Sequence, residues 1–429
     1  MSGEIKFTTR NALRVLRPGP FRRYIIGSAI SDTGTWMQVM AQGYVMATLT
    51  NKALLLGMAN FAAGLPMLAL TMVGGSAADR FDKRKILLIT QYAQIVLAIA
   101  MGSLIWSGKI EMWQIFVFAA LLGISNSFEM PALSALVPEL VKREEIQSAI
   151  AIDRAVFHGS RLVGPAVAGL FVSLWGAASA FFSNALSFVA LIIAVMSLPP
   201  RRVGTAEEEK KRSSGIKDGF LYIANDRPSL AMVGLIATTT VFIFPIISVM
   251  MPLYVRNVLH LGPDSLGYLM AASAIGSVVG ALFLLSIPRK KRILLMMIFV
   301  AMVAFAIFGL SQVSTFRGAI GLLILNSLGL SMNFGLANTI VQERAPDYLR
   351  GRVSAVFGLS FFGLMPIAGL VITSVSDLIG MRNALMIGSI IYGVIGIIVL
   401  ARVRRQCCEP AVSDVTGTET PAPPVAATI

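Results

Sequence analysis

Six ionisable side chains lie inside long apolar stretches of this chain: Asp32, Glu129, Asp153, Arg154, His158 and Arg161. A charge in an apolar medium is costly, so such groups pair, bind a ligand or exchange protons. Asp32 sits roughly eight residues into its stretch, ~12 Å deep at ~1.5 Å per residue. No cation neighbours it in sequence, so desolvation alone acts on it. That makes it the first candidate for a carboxyl that takes up and releases a proton. Glu129 is the second. Asp153, beside Arg154, is the third and also reads as half of an ion pair.

Arg154, His158 and Arg161 follow an i, i+4, i+7 spacing and share one helix face. Asp153 is turned roughly 100° away from Arg154 around the same helix. Trp36, Gln38 and Gln42 join these cations as candidates to line a cavity. The second half of the chain offers neutral polar groups, among them Asn333, and aromatic side chains, among them Phe242, Phe244 and Phe361. One titratable wall facing one apolar wall suits a large amphiphile better than a small sugar, which needs many close hydroxyl partners.

Enzyme chemistry finds little equipment. There are two histidines, His158 and His260, and no metal-ligand spacing. Neither a nucleophile elbow nor a Gly-x-x-x-x-Gly-Lys phosphate loop is present. No cofactor and no metal are expected, and the chain is not expected to be an enzyme.

The elements that hold these residues are set by composition. Of 429 residues, 56% are hydrophobic and 14% charged, and the mean hydropathy is +0.76. That is a membrane composition. Apolar spans run over roughly 24–49, 53–78, 86–106, 112–136, 147–175, 177–198, 230–255, 265–286, 293–312, 316–341, 353–376 and 383–401, each near the ~20 residues that cross a bilayer. Several are longer, which predicts tilt or a broken helix.

The net charge of +14 suggests nucleic acid until the cations are placed. Twenty-nine of the 36 Lys and Arg fall at one set of span ends. Five fall at the other: Lys52, Lys109, Arg256, Arg317 and Arg382. Arg154 and Arg161 are inside a span. This bias predicts both termini in the cytoplasm of a multi-pass protein of the cell (inner) membrane. A nucleic-acid partner would need the cations on one surface with interleaved aromatics.

The expected organisation is a cytoplasmic segment 1–23, a six-helix bundle 24–198, a linker 199–229, a second six-helix bundle 230–405 and a disordered tail 406–429. The N-terminal segment has basic residues but no apolar core, so it does not read as a cleaved signal peptide. Phe220, Leu221 and Ile223 predict a short amphipathic helix on the membrane surface. Cys407 and Cys408 read as incidental thiols. A faint repeat relates the bundles. Arg84-Lys85-Ile86-Leu87-Leu88 is echoed by Lys291-Arg292-Ile293-Leu294-Leu295, and Val137-Pro138-Glu139 by Ala345-Pro346-Asp347.

The hairpin Gly75-Ser76-Ala77-Ala78-Asp79-Arg80-Phe81-Asp82-Lys83-Arg84-Lys85 resembles the G-x-L-A-D-R-x-G-R-K loop between helices 2 and 3 of the major facilitator superfamily. Ala77 replaces the Leu and Asp82 the second Gly. Ser160-x-x-x-Gly164-Pro165-x-x-Ala168-Gly169 is similar to the antiporter motif G-x-x-x-G-P-x-x-G-G. With Ser31-Asp32-Thr33-Gly34 and Leu349-Arg350-Gly351-Arg352-Val353, these strings resemble the branch of drug–proton antiporters and enterobactin-type siderophore exporters.

The resemblance implies an all-α polytopic fold of twelve transmembrane helices in two six-helix halves. It implies a monomeric secondary transporter that exports amphiphiles (a drug, a siderophore or a secreted metabolite) in exchange for protons. An inward facilitator or a lysophospholipid-type flippase of the same fold is the alternative. The resemblance also implies a conformational latch of Gly75, Asp79, Arg80 and Arg84 against Arg350 and Arg352.

Overall fold

The computed structural model of the chain describes residues 13–198, 217–284, 286–346 and 348–408. The first part of the N-terminal segment, the linker residues 199–216 and the expected tail from 409 onward lie outside the described residues. Within them the chain is helical, with no strand.

The first bundle holds α1 (Pro20–Leu49), α2 (Ala53–Arg80), α3 (Lys83–Trp106), α4 (Met112–Leu136), α5 (Ile146–Trp175) and α6 (Ala178–Met196). A short α7 (Lys217–Asn225) precedes the second bundle. That bundle opens with a broken span: α8 (Arg227–Phe242), α9 (Phe244–Ser248) and α10 (Met251–Asn257). The breaks fall beside Pro245 and Pro252, whose missing N–H groups interrupt the helical ladder. There follow α11 (Pro263–Leu284), α12 (Arg292–Gln312) and α13 (Phe316–Arg344). The next span is α14 (Arg350–Gly358), a π turn over Leu359–Gly363, and α15 (Met365–Ile379). The last helix is α16 (Met381–Cys408).

Among the described residues, eleven helical segments are long and apolar enough to cross a membrane. The long helix outside that set is α1, whose 30 residues include Asp32, Thr33, Thr35, Gln38 and Gln42. Of these, Asp32, Gln38 and Gln42 were candidates for the site.

The loops at 81–82, 137–145 and 286–291 lie at one end of the bundles, called here the basic end. Those at 50–52, 107–111, 176–177, 258–262 and 313–315 lie at the far end. At the basic end α7 is clasped to the second bundle. The Tyr222 hydroxyl donates to the Arg344 carbonyl at 2.6 Å, and Arg344 donates to both Asp226 oxygens at 2.6 and 2.8 Å. Asp218 pairs with Arg352. Ile223 is buried, while Phe220 and Leu221 are exposed.

Candidate functional site

The first bundle closes around α1. Thr33 donates from its hydroxyl to Ser160 on α5 at 3.2 Å, and Ser160 donates to the Ala29 carbonyl at 3.3 Å. A Cβ at Gly164 would lie 2.6 Å from that of Trp36 and 2.8 Å from the Thr33 carbonyl oxygen, so only glycine permits this approach. On the other side of α1, Asn184 of α6 donates to Gln38 at 2.8 Å. Gln38 is therefore buried between helices and engaged, while Gln42 is half-buried.

The two bundles meet along two seams. Along the first, α5 packs on α11: Gly169 lies against Pro263 and Asp264, and Gly267 against the Pro165 carbonyl. Along the second, α2 packs on α15, with Gly57 against Thr373 and Gly64 against Pro366. All four contacts lie in the middle or at the far end of the molecule.

The first seam locates the cation face. Arg154, His158, Arg161, Pro165, Ala168 and Val172 are spaced by four, three, four, three and four residues, so they form one stripe on α5. In its far half the stripe is buried, beside α11 of the second bundle. Its other half is open: Arg154 and His158 are exposed and Arg161 is half-buried. The three basic side chains thus continue the line of the seam toward the basic end, where they are not covered. The Arg161 guanidinium lies 5.3 Å above the Trp36 ring. Phe157 packs edge-on against Trp36 at 5.9 Å and against His158 at 5.7 Å.

The acids take other positions. Tyr24 donates to Asp153 at 3.2 Å, and Ser28 donates to Asp32 at 3.0 Å. Both carboxyls therefore bond to α1 side chains. Glu129 is buried between α3 and α4, where Gln91 donates to it at 2.7 Å and Gln94 donates to its second oxygen. Asp32 is within electrostatic reach of both Asp153 and Glu129. Sequence reading did not find Tyr24, Ser28, Gln91 and Gln94. Their partners lie 4 to 129 residues away, and spacing along the chain signals only the nearest.

In the second bundle Phe361, carried by the π turn, stacks edge-on against Phe244 at 4.7 Å, Phe334 at 5.4 Å and Phe362 at 5.0 Å. Phe334 also meets Phe357 at 5.2 Å. The cluster joins the broken span, α13 and the π-turn span. Phe242 is half-buried and outside it. Asn333 is fully buried, 3.5 Å from the Tyr392 hydroxyl, within the bundle rather than with the rings.

The hairpin residues sit at the basic end. Gly75 is half-buried, and Asp79 and Arg80 are exposed at the end of α2. Arg84 donates to the carbonyls of Val195 and Met196 at 3.2 and 3.1 Å, tying α3 to α6. Lys83 pairs with Glu139 at 3.0 Å, and Glu343 with Arg289 and Arg292. Arg350 is exposed at the start of α14. Among the described residues no group of His, Cys, Asp and Glu could hold a metal ion.

Comparison with known proteins places this geometry. The Bacillus subtilis protein named as an uncharacterized MFS-type transporter, YfiS, is 26% identical over 63% of this chain and 63% of its own length. The multidrug efflux pump Tap of Mycolicibacterium fortuitum is 24% identical over 90% of this chain and 97% of its own. The staphyloferrin A transporter of Staphylococcus aureus is 24% identical over 81% and 87%. The crystal structure of the nucleoside transporter NupG superposes with a TM-score of 0.68 at 12% identity, covering 90% of this chain and 99% of that one. The family model described as transmembrane secretion effector, MFS_3, matches residues 11–429. This chain belongs to that family of major facilitator transporters.

Proposed function

We propose that this protein exports amphiphilic small molecules from the cell by alternating access, in exchange for protons. The observation that carries the reading is the α5 stripe, closed between the bundles in its far half and open as a row of Arg154, His158 and Arg161 in the other. A seam that is sealed at one end and lined with charge at the other is what one opening of a rocking transporter needs. A relative named as a multidrug efflux pump supports an outward direction.

In this reading the cargo enters a gap between the bundles from the basic end, which is the cytoplasmic end. Its apolar body meets Phe244, Phe334 and Phe361, and its polar part meets Trp36 and the α5 stripe. Asp32 carries the proton, with Glu129 and Asp153 within electrostatic reach. The bundles then rock about the middle of the seams. Helices α2 and α15 already touch at the far end through Gly57 and Thr373. Rocking would separate those ends and bring Asp79, at the basic end of α2, to the start of α14 at Arg350-Gly351-Arg352. A carboxylate at a helix N-terminus is favoured by ~0.3–1 kcal/mol. The protein works as a monomer within the bilayer.

The test is transport in proteoliposomes with an imposed pH gradient and a fluorescent amphiphile. Gradient-driven accumulation on the far side supports export. Gradient-independent entry would support an inward facilitator instead, and movement of lysophospholipid between leaflets a flippase.

A further inference from the structure

We propose that the site takes amphiphiles with an anionic oxygen headgroup, a carboxylate or a phosphate, bound by Arg161 with Arg154 and His158. This rests on the reading of the inter-bundle gap as the cargo site.

The argument starts from pairing. Inside a membrane protein an arginine is normally neutralised by a carboxylate or by backbone carbonyls. Asp153 is within electrostatic reach of Arg154 but makes no ion pair with it, and neither Asp153 nor Asp32 is hydrogen-bonded to the stripe. Asp153 points to the Tyr24 hydroxyl and Asp32 to the Ser28 hydroxyl, both on α1. Glu129 is held between two glutamine amides. Among the described residues Arg154, His158 and Arg161 make no ion pair and no hydrogen bond; the close neighbour of the Arg161 guanidinium is the Trp36 ring at 5.3 Å.

The geometry adds a direction. Arg161 is the deepest of the three and is half-buried, while His158 and Arg154 are exposed one and two turns nearer the basic end. An anion entering from that end would pass two positive or hydrogen-bonding side chains before reaching the guanidinium. The planar fork of arginine matches two oxygens of a carboxylate or phosphate, and the Trp36 ring lies beside the guanidinium, 5.3 Å from it. The rings at Phe244, Phe334 and Phe361 in the second bundle supply no charge, so they suit the apolar remainder of the molecule. A cationic amphiphile would have to share the gap with three basic side chains, at a cost.

The experiment uses the full chain in nanodiscs of phosphatidylcholine. Two probes with the same ring system and opposite charge are compared: pyrenebutyrate and pyrenebutylamine. The wild-type protein should bind the carboxylate roughly tenfold more tightly, because a charge-assisted bidentate pair is gained and a like-charge contact avoided. Arg161→Gln should erase that preference, and Arg161→Lys should restore part of it. Competition then separates two sources of the headgroup. Displacement of pyrenebutyrate by lysophosphatidylglycerol alone assigns a lipid. Displacement by soluble aromatic carboxylates assigns a soluble anion.

Equal affinity for the two probes, tighter binding of the amine, or no binding of either overturns the proposal, even if Arg161→Gln proves unstable. The wider reading fails differently. A protein that prefers the carboxylate yet moves nothing under a pH gradient keeps the anion site and loses the exporter. One that pumps a cationic dye without the preference keeps the exporter and loses the anion site.

Discussion

Asp377, at the far end of α15, accepts hydrogen bonds from the backbone N–H of Ala53 at 2.7 Å and of Leu54 at 2.8 Å. A carboxylate of the second bundle therefore caps a helix of the first. Nearby, Arg256 donates to the Ala47 carbonyl at the last turn of α1. Negative charge meets a helix N-terminus and positive charge a C-terminus, as the helix dipoles favour. These clasps span the seam that must open if the protein is to face the far side.

Replacing Asp377 with alanine should loosen that seam. Loss of a capping side chain costs about 1 kcal/mol, roughly a fivefold change in the balance of openings. The check is the alkylation rate of Thr373→Cys from the far side, in a background with Cys407→Ser and Cys408→Ser. The rate should rise several-fold in Asp377→Ala. An unchanged rate would show that the cap does not hold the far end closed.

Gly267 tests the other seam. A side chain there would strike the Pro165 carbonyl and the Gly169 backbone, and backbone cannot move aside cheaply. Overpacking of this kind costs ~1–3 kcal/mol. Gly267→Val should insert in the membrane and bind cargo but lose most transport, because the far end can no longer close. Gly159→Ala is the control, since a Cβ there meets nothing within 4 Å. Equal transport rates in the two variants would remove the α5–α11 seam from the mechanism.

A pH effect is expected at the basic end. Hydrogen bonds from Arg344 hold the Asp226 carboxyl below the usual aspartate range. A depressed folded-state pKa contributes stability above the unfolded value of ~3.9, lost as pH falls through the folded value. Asp226→Asn should therefore lower the melting temperature slightly at pH 7, and the difference should shrink as pH falls below the ordinary aspartate value. Differential scanning fluorimetry at pH 7 and through the acid range reads this. A destabilisation independent of pH would mean that shape, not charge, matters here.

Much of the fold was legible because a bilayer demands it. Apolar runs of about twenty residues, separated by cationic loops, leave few alternatives. The length of the spans predicted tilt or a break somewhere, but not that the breaks fall beside Pro245 and Pro252, nor the π turn before Pro366. The site was legible in part. The spacing of Arg154, His158 and Arg161 gave their common face, because helical periodicity is local. That Gln38 is engaged by Asn184, and Glu129 by Gln91 and Gln94, depends on neighbours from other helices, and a single sequence carries no trace of those pairings.

The orientation of the chain is open to direct test. Cysteines replacing Lys52, Lys109 and Arg317 should react with an impermeant reagent from outside the cell, and those replacing Lys85 and Lys142 should react only after permeabilisation. The motive is the split of 29 cations to five between the two ends. Reversed labelling at two or more sites would invert the proposed direction of access.

Proton coupling is the central claim, and Asp32→Asn tests it most directly. Asparagine keeps the shape of a protonated aspartate and cannot titrate. Proteoliposomes holding the variant would be assayed twice, once with an imposed pH gradient and once at equal pH with preloaded substrate. Coupled export needs a carboxyl that is neutral in one opening and ionised in the other; exchange needs only the change of opening. The account predicts that Asp32→Asn abolishes uphill transport and retains exchange. Uphill transport persisting at the wild-type rate would contradict it and move the role to Glu129 or Asp153.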